Sequence, residues 1–164
     1  KHEFVHGTIH AMAGATERHH TIAGNVFAAD HAAARRGQHC RPFTGDMRLR
    51  LDGGNLYDDP DVMLVCNPQD DDPMFKSQPC MLAEISLPGT EGIDRREKLA
   101  ACLKIASLRE YLIVSQEQMA VDLYQRTSGA DWLHGQLGAD QLFSSACLPL
   151  SLTVREMYAG LAVE

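Results

Sequence analysis

PDVMLVC, residues 60–66, is an apolar run that begins beside an acid, and CMLAEISL, residues 80–87, is a second apolar run with a glutamate inside it. Short apolar runs of this kind, bounded by turn residues, predict two buried β-strands. An ionised carboxylate inside such a strand costs several kcal/mol unless a cation, a metal or a set of hydrogen bonds compensates it. We therefore expect Glu84 to have a compensating partner.

The two strands bring Asp61 and Glu84 together if they form an antiparallel hairpin in which Cys66 faces Pro79. In that register Asp61 lies opposite Glu84, and opposed residues point to the same face with Cβ atoms about 4.5–5.5 Å apart. Carboxylate oxygens at that spacing suit one Mg²⁺ or Mn²⁺ ion. A shift of one residue would put the acids on opposite faces, so this register is a hypothesis.

Lys98 lies on the helix predicted after these strands, which Asp94 opens with Glu97 three residues later as a capping box. On a helical wheel Lys98 falls at the margin of the apolar stripe, which consists of Leu99, Cys102, Leu103 and Ala106. From that margin the ammonium can lean toward the sheet. Two carboxylates and a lysine are the groups used in metal-dependent phosphodiester hydrolysis: the acids hold the metal, the metal lowers the pKa of water, and the lysine stabilises negative charge.

Length and composition are those of a globular protein. The 164 residues, 45% hydrophobic and 23% charged, fit a single domain over 1–164 with its own core. No apolar run approaches the roughly 18 residues of a membrane span, and the first residues do not read as a signal peptide, so we expect a cytoplasmic protein. Five cysteines without a C-x-x-C spacing predict reduced, buried thiols and make a structural zinc site improbable.

A net charge of −7 argues against a protein that coats nucleic acid by bulk attraction. It does not exclude a nuclease, because a metal ion can bridge carboxylates to phosphate. The most basic part of the chain carries five arginines, namely Arg35, Arg36, Arg41, Arg48 and Arg50. Such a run is more often a solvated face than a phosphate track, and closeness to the acidic pair would reverse that preference.

Three further candidates have two interpretations each. His19 lies on the apolar side of a long helix that Thr16 caps and that ends near Arg36 and Gly37, so it is either a hydrogen-bonded core histidine or a residue that polarises water or contacts phosphate. Glu3 is either an extra carboxylate for the site or a surface residue. The acidic run 70–72 is either a metal site or a solvated turn, and the solvated turn is the better interpretation.

The remaining pattern completes the fold prediction. Residues 3–12 predict a small hairpin or a bent edge strand, and residues 47–51 alternate as a half-buried strand that turns through 52–55 into the Pro60 strand. Residues 111–114 fit a parallel neighbour of the Glu84 strand through a βαβ crossover. Residues 119–125 predict its next partner, a weaker strand follows near 132–133, and 153–161 predict a short amphipathic helix.

Seven short motifs along the chain resemble those of a known protein family. They are Glu3…Gly7, Ala13 to His19, Gly45 to Arg48, Pro60 to Val62, Glu84 to Thr90, Asp94 to Lys98 and Glu110 to Val114. The order helix, strand, strand, strand, helix, strand resembles the PD-(D/E)xK restriction-endonuclease-like core, an α+β fold with a mixed central sheet flanked by helices. More closely, the chain resembles the Uma-type family of putative restriction endonucleases.

The resemblance implies roles for four residues. Asp61 and Glu84 would bind a divalent metal, Mg²⁺ or Mn²⁺, and DNA would be the substrate. The superfamily's lysine, expected where this chain has Ser86, would be replaced by Lys98 on the following helix, and His19 matches the family's histidine on the first helix. The chain departs from the family where Glu84-Ile-Ser-Leu-Pro88 stands for Glu-x-Leu-Ser-Pro, and where Cys102 and Ser115 replace a tyrosine and an aspartate.

Three functions follow as alternatives. The favoured one is a metal-dependent DNA endonuclease. The second is a catalytically inactive member of the fold that binds nucleic acid or a protein partner, with Glu84 merely salt-bridged to Arg48 or Lys98. The third is a structural oligomer that binds neither metal nor DNA. The oligomeric state stays open, a homodimer being one alternative.

Overall fold

A mixed six-stranded sheet forms the centre of the computed structural model, which describes residues 2–5, 8–11, 15–36, 39–51, 56–86, 93–128 and 131–162. The helices are α1 (Glu17–Ala34), α2 (Ile93–Cys102) and α3 (Val154–Met157). The strands up to the middle of the chain are β1 (His2–Val5), β2 (Thr8–Ala11), β3 (Arg41–Thr44), β4 (Arg48–Leu51), β5 (Leu56–Asp58) and β6 (Val62–Val65). They are followed by β7 (Phe75–Lys76), β8 (Pro79–Ser86), β9 (Glu110–Ser115), β10 (Ala120–Arg126), β11 (Trp132–Gly138), β12 (Leu142–Ser144) and β13 (Ser151–Thr153).

The central sheet has the strand order β11-β10-β9-β8-β6-β3. Strands β8 and β9 are parallel, and the other neighbouring pairs in this sheet are antiparallel. Helix α2 connects the parallel pair, as the predicted βαβ crossover requires. The sheet is therefore mixed and flanked by helices, the arrangement expected from the sequence.

The pairing of β6 with β8 has the predicted register over most of its length. Val62 pairs with Ala83 and Leu64 with Met81, so the next step of the ladder sets Asp61, one residue before β6, opposite Glu84. At the other end the register shifts at an irregularity, and Val65 rather than Cys66 pairs with Pro79. The prediction was therefore wrong at Cys66, where the strand has already left the ladder.

A second, three-stranded sheet with the order β5-β4-β7 corrects the predicted course of the chain. Strand β4 does not turn into the Pro60 strand but pairs with the short strand β5, where Leu49 faces Asp58. In the central sheet β6 lies between β8 and β3, and β3 is a strand that the sequence pattern does not predict. The alternation within β4 is as predicted, with Leu49 and Leu51 buried and Arg48 exposed.

The core lies on the two faces of the central sheet. Helix α1 packs over one face, against side chains from β6, β8 and β9 such as Leu64, Ala83 and Leu112. On the other face, Cys102 of α2 and Leu49 of β4 pack with a second buried set, which includes Met63, Leu82 and Tyr111. Alternate residues of each strand thus reach opposite cores, as a pleated strand covered on both faces demands.

Both ends of the chain agree with the predicted elements in part. Strands β1 and β2 pair antiparallel, which agrees with the hairpin, one of the two predicted alternatives, and β1 lies beside β5. Thr16 caps α1 as predicted, whereas Gly37 and the side chains of Glu3 and Asp94 lie outside the described residues. Helix α2 already begins at Ile93. Helix α3 covers only Val154–Met157 of the predicted segment 153–161.

The cysteines depart from the prediction of reduced thiols. Cys40 is bonded to Cys66, Cys80 is bonded to Cys147, and Cys102 is a buried free thiol. The paired residues are 26 and 67 positions apart in the chain, so their closeness is created by the sheet and by the C-terminal segment that packs against it.

The acidic run 70–72 is not simply a solvated turn. Asp70 is buried, and its Oδ2 accepts backbone hydrogen bonds from Ser77 at 2.9 Å and Gln78 at 2.8 Å. These bonds compensate the buried carboxylate and close the loop between β6 and β8. In the described part of the chain, no helix has the length and apolar character that crossing a membrane requires.

Candidate active site

Five polar side chains meet where the two sheets adjoin the start of α1. Asp61 comes directly before β6, Glu84 lies in β8, and Asp58 ends β5, whereas His19 and Lys98 come from α1 and α2. Four of these are the residues predicted from the sequence, and the structure brings them together. Asp58 is the addition.

His19 and Asp61 form one half of the cluster. His19 Nε2 lies 3.0 Å from Asp61 Oδ1, and the backbone N–H of Ile85 donates to Asp61 Oδ2 at 2.8 Å. The bond from Ile85 ties Asp61 to the strand that carries Glu84. His19 is in turn positioned by the helix cap, since its backbone N–H donates to the Thr16 hydroxyl at 3.1 Å.

Lys98 forms the other half by lying between two carboxylates. Its Nζ is 2.8 Å from Asp58 Oδ1 and 3.0 Å from Glu84 Oε1. The contact with Glu84 is an ion pair without hydrogen-bond geometry, and among described residues neither Glu84 Oε1 nor Asp58 Oδ2 accepts a hydrogen bond. Lys98 is the compensating cation that Glu84 was expected to need. Its half-buried position agrees with its predicted place at the stripe margin.

The carboxylates influence one another's protonation. Burial raises the pKa of Glu84 above its usual value, the Lys98 ammonium opposes this, and the charges of Asp58 and Asp61 raise it further. Burial also acts to raise the pKa of Asp61, but the bonds from His19 and Ile85 outweigh it, and the result is a lowered pKa. Asp61 is therefore ionised over the neutral range, whereas Glu84 holds a proton more strongly than an ordinary glutamate.

Lys98 stays charged in this environment. Burial acts to lower its pKa, but Glu84 and Asp58 outweigh burial and hold the pKa well above the ordinary lysine value. Burial raises the pKa of the nearby Tyr111 hydroxyl well above its ordinary value, and the charge of Glu84 adds to this. An ammonium fixed between two carboxylates can stabilise negative charge on a bound anion.

The donor set fits a hard divalent cation, although no group of three or more His, Cys, Asp or Glu side chains among the described residues is arranged to hold a metal ion. Mg²⁺ is commonly held by one or two carboxylates and several waters, so the pair Asp61 and Glu84 meets the requirement in kind. Asp58 Oδ2 is buried without a hydrogen-bond partner among the described residues, which leaves an acceptor that a cation or a water could satisfy.

Asp58 is the site residue that sequence reasoning missed. Its side chain is 5% exposed and contacts Lys98, while its neighbour Asp59 donates its backbone N–H to Asp58 Oδ1 at 2.9 Å. The signal was the acidic string that precedes Pro60, in which Asp58 lies two residues before the proline. The sequence alone does not show which of these acids faces the core. The pairing of β4 with β5 places Asp58 opposite the buried Leu49 and so turns it inward.

Comparison with known proteins places these observations in a family. The family described as Uma2, putative restriction endonuclease, matches residues 1–160. The uncharacterized protein slr1290 of Synechocystis sp. is 30% identical over 165 residues, which cover 99% of this chain and 85% of the relative. A second uncharacterized Synechocystis protein, sll1609, is 29% identical over 140 residues, which cover 84% of this chain and 78% of the relative.

Among solved structures, a putative nuclease belonging to DUF820 from Anabaena variabilis superposes with a TM-score of 0.77, at 14% sequence identity, over 96% of this chain and 89% of that one. This likeness confirms the expected α+β fold, a restriction-endonuclease-like arrangement with a mixed central sheet. The family match extends over nearly the whole chain. The protein therefore belongs to the Uma2 family of putative restriction endonucleases.

Proposed function

We propose that the protein is a Mg²⁺- or Mn²⁺-dependent endonuclease that hydrolyses phosphodiester bonds in DNA, with residues 1–164 acting as one domain. The observation that supports this most is the placement of Lys98 between Asp58 and Glu84, beside the pair of His19 and Asp61. Acidic ligands, a fixed cation and an imidazole in one cluster are the groups that phosphodiester hydrolysis uses.

Asp61 and Glu84 are the residues proposed to hold the metal. When bound, the metal would supply Lewis-acid activation of water and of the phosphoryl oxygen. Glu84 binds a cation only after losing the proton that burial favours, so Lys98 assists by stabilising its ionised form. Asp58 would hold the Lys98 ammonium in place while Glu84 binds the metal.

The remaining roles fall to Lys98 and His19. Lys98 stabilises the negative charge that develops on the phosphate, because its ammonium is fixed before the substrate arrives. His19 is oriented by Asp61 through the 3.0 Å contact at Nε2, and we assign it to a water molecule or a phosphate oxygen. DNA in the cytoplasm is the substrate that this assignment implies.

The test is nicking of supercoiled plasmid DNA by the purified protein with Mn²⁺ or Mg²⁺. We expect cleavage by the wild type and at least a 100-fold lower rate for Glu84→Gln, by analogy with the removal of one electrostatic stabiliser from an active site, which costs about 100-fold or more. The matched control is Glu117→Gln, the same change at an exposed position. Thermal unfolding by circular dichroism checks that both variants fold. Persistent cleavage by folded Glu84→Gln contradicts the assignment.

A catalytically inactive binding module is the second candidate, and one observation favours it. The Lys98 ammonium already pairs with both Asp58 and Glu84, so those carboxylates are compensated without a metal. Calorimetric titration with Mn²⁺ separates the two candidates. Heat of binding in the wild type that Glu84→Gln abolishes supports the enzyme. Absence of binding together with absence of cleavage supports the module.

A further inference from the structure

The outer face of the β5-β4-β7 sheet carries a cluster of arginines and aromatic rings that we call the β4 platform: Arg48, Arg50, Tyr57 and Phe75. The guanidinium carbon of Arg50 lies 4.1 Å from the centroid of the Phe75 ring. The Tyr57 and Phe75 rings meet edge to face, with centroids 6.2 Å apart and an interplanar angle of 73°. The strand register sets Arg50 opposite Tyr57 and Arg48 opposite Phe75, so all four share one face.

The platform is the reverse side of strands that build the active site. In β5, Tyr57 is 39% exposed, whereas its neighbour Asp58 is buried and contacts Lys98. In β4, Leu49 and Leu51 are buried in the core while Arg48 points outward. A ligand on the platform would therefore be separated from the proposed catalytic cluster by strands β4 and β5.

The charge of the platform is opposite to that of the protein as a whole. The chain has a net charge of −7, whereas the platform carries two guanidinium groups, those of Arg48 and Arg50. Two guanidinium groups on one face attract a polyanion, and guanidinium groups bind phosphate through paired donors. The exposed Tyr57 ring and the partly exposed Phe75 ring offer stacking surfaces to bases that are not already stacked inside a duplex.

We propose that the β4 platform binds a single strand of nucleic acid, with Tyr57 and the Arg50–Phe75 stack receiving unpaired bases and Arg48 contacting the backbone. The proposal rests on the proposed function, because it specifies the form of the substrate: a single strand, a flap or a frayed end rather than blunt duplex. Bases in an intact duplex cannot reach the platform rings, whereas bases in a single strand can rotate onto them.

The experiment measures fluorescence anisotropy of the full chain with labelled 12-nucleotide oligo-dT, oligo-U and a blunt 12-bp duplex, in EDTA so that no cleavage occurs. We expect tighter binding to a single strand than to the duplex, and the tighter of the two strands identifies the preferred sugar. Tyr57→Ala should weaken single-strand binding about 10-fold, since stacking of one base is lost. Arg48→Gln should reduce the salt slope by about 0.7, since one phosphate contact is lost.

Matched controls lie elsewhere on the surface. Arg109→Gln removes an equal charge from an exposed position, and Leu133→Ala truncates an exposed apolar side chain on β11, and we expect both to bind like the wild type. Duplex binding as tight as single-strand binding, or equal losses in Tyr57→Ala and Leu133→Ala, overturns the platform. Binding with these preferences but no cleavage supports the platform and refutes the nuclease. Cleavage that Tyr57→Ala leaves unchanged, with unchanged binding, refutes only the platform.

Discussion

Lys98 shows how one side chain stabilises an otherwise unfavourable cluster. Its side chain is 25% exposed, and its ammonium lies within 3.0 Å of carboxylate oxygens of both Asp58 and Glu84. Each buried carboxylate would cost several kcal/mol alone, and removal of one partner from a buried pair leaves an uncompensated charge. The cluster still carries more carboxylates than lysines. Once Glu84 has released its proton, this excess gives the cluster the negative charge that the proposed cation site needs.

Asp30, a buried carboxylate outside this cluster, supplies a pH-dependent prediction. Asp30 of α1 is 2% exposed, and its Oδ2 has no hydrogen-bond partner among the described residues. Burial raises the pKa of Asp30 to about 8, and the charge of Glu110 adds to this. The folded protein therefore keeps Asp30 protonated at pH values where the unfolded chain, with an ordinary pKa of 3.8, has released the proton.

The sign follows from proton binding. Between pH 3.8 and about 8 the unfolded state binds fewer protons, so the free energy of unfolding falls as pH rises, by up to about 1.4 kcal/mol per pH unit. The contribution of Asp30 to the free energy of unfolding is fully present below pH 3.8 and is lost as the pH rises to about 8. Asp30→Asn cannot ionise, so we expect it to exceed the wild type by roughly 2–5 kcal/mol at pH 8 and to match it near pH 4. Urea denaturation at both pH values measures this.

The exposed Asp131 supplies the control for this experiment. Asp131→Asn makes the same chemical change, and we expect its stability to follow the wild type at both pH values. A gain for Asp30→Asn that is equal at pH 4 and pH 8 would show that better packing, rather than ionisation, is responsible.

At the scale of elements, the sequence predicted what local pattern controls. The β6 and β8 runs are apolar and continuous, so the existence of both strands followed from the pattern. Their register was a hypothesis, and the observed pairing of Val62 with Ala83 and of Leu64 with Met81 agrees with it. Strand β3 was missed because it is short, lies at the sheet edge and contains Pro42. Asp58 was missed because its position depends on the pairing of β5 with β4, a tertiary feature that three residues cannot specify.

Helix α1 gives a prediction about positioning, because its cap also holds His19. The Thr16 hydroxyl accepts from the His19 N–H at 3.1 Å and donates to Gln116 Oε1 at 2.7 Å. We expect Thr16→Ala to lower the free energy of unfolding by about 1 kcal/mol and to reduce the nicking rate, since the first turn of α1 loses its anchor. Thr16→Ser retains the hydroxyl and should restore both.

Another helix cap separates positioning from general stability. Thr153 caps α3, and its hydroxyl bonds Glu156 at 2.8 Å, away from the cluster. Thr153→Ala should cost a similar stability but leave the nicking rate at 25 °C unchanged. If the two alanine variants lose nicking activity equally, Thr16 has no role in positioning His19.

At the scale of the whole molecule, the fold joins distant parts of the chain in ways that no local pattern reveals. The prediction of reduced thiols rested on spacing and an odd count, whereas Cys80 and Cys147 meet because the C-terminal segment returns to the start of β8. The same segment satisfies a buried acid of β9: the Ser145 hydroxyl and the Ala146 N–H donate to Glu110 at 2.6 Å and 2.7 Å. The disulfide therefore links to β8 the same segment that supplies the hydrogen-bond donors for the buried Glu110.

The Cys80–Cys147 disulfide leads to a prediction about redox state. It closes a loop with a sequence separation of 67, and loop-closure entropy for that length corresponds to an upper value of about 4 kcal/mol. We expect Cys147→Ser to lower the free energy of unfolding by about 2–4 kcal/mol under oxidising conditions, measured by guanidinium denaturation. In reductant the wild type should fall to the level of the variant, because both then have an open loop. A wild type that keeps its advantage in reductant would show that Cys147 stabilises through packing alone.

The cytoplasm, the compartment proposed for this protein, keeps thiols reduced, so the two buried cores and the bonds to Glu110 must hold the fold there without the disulfide.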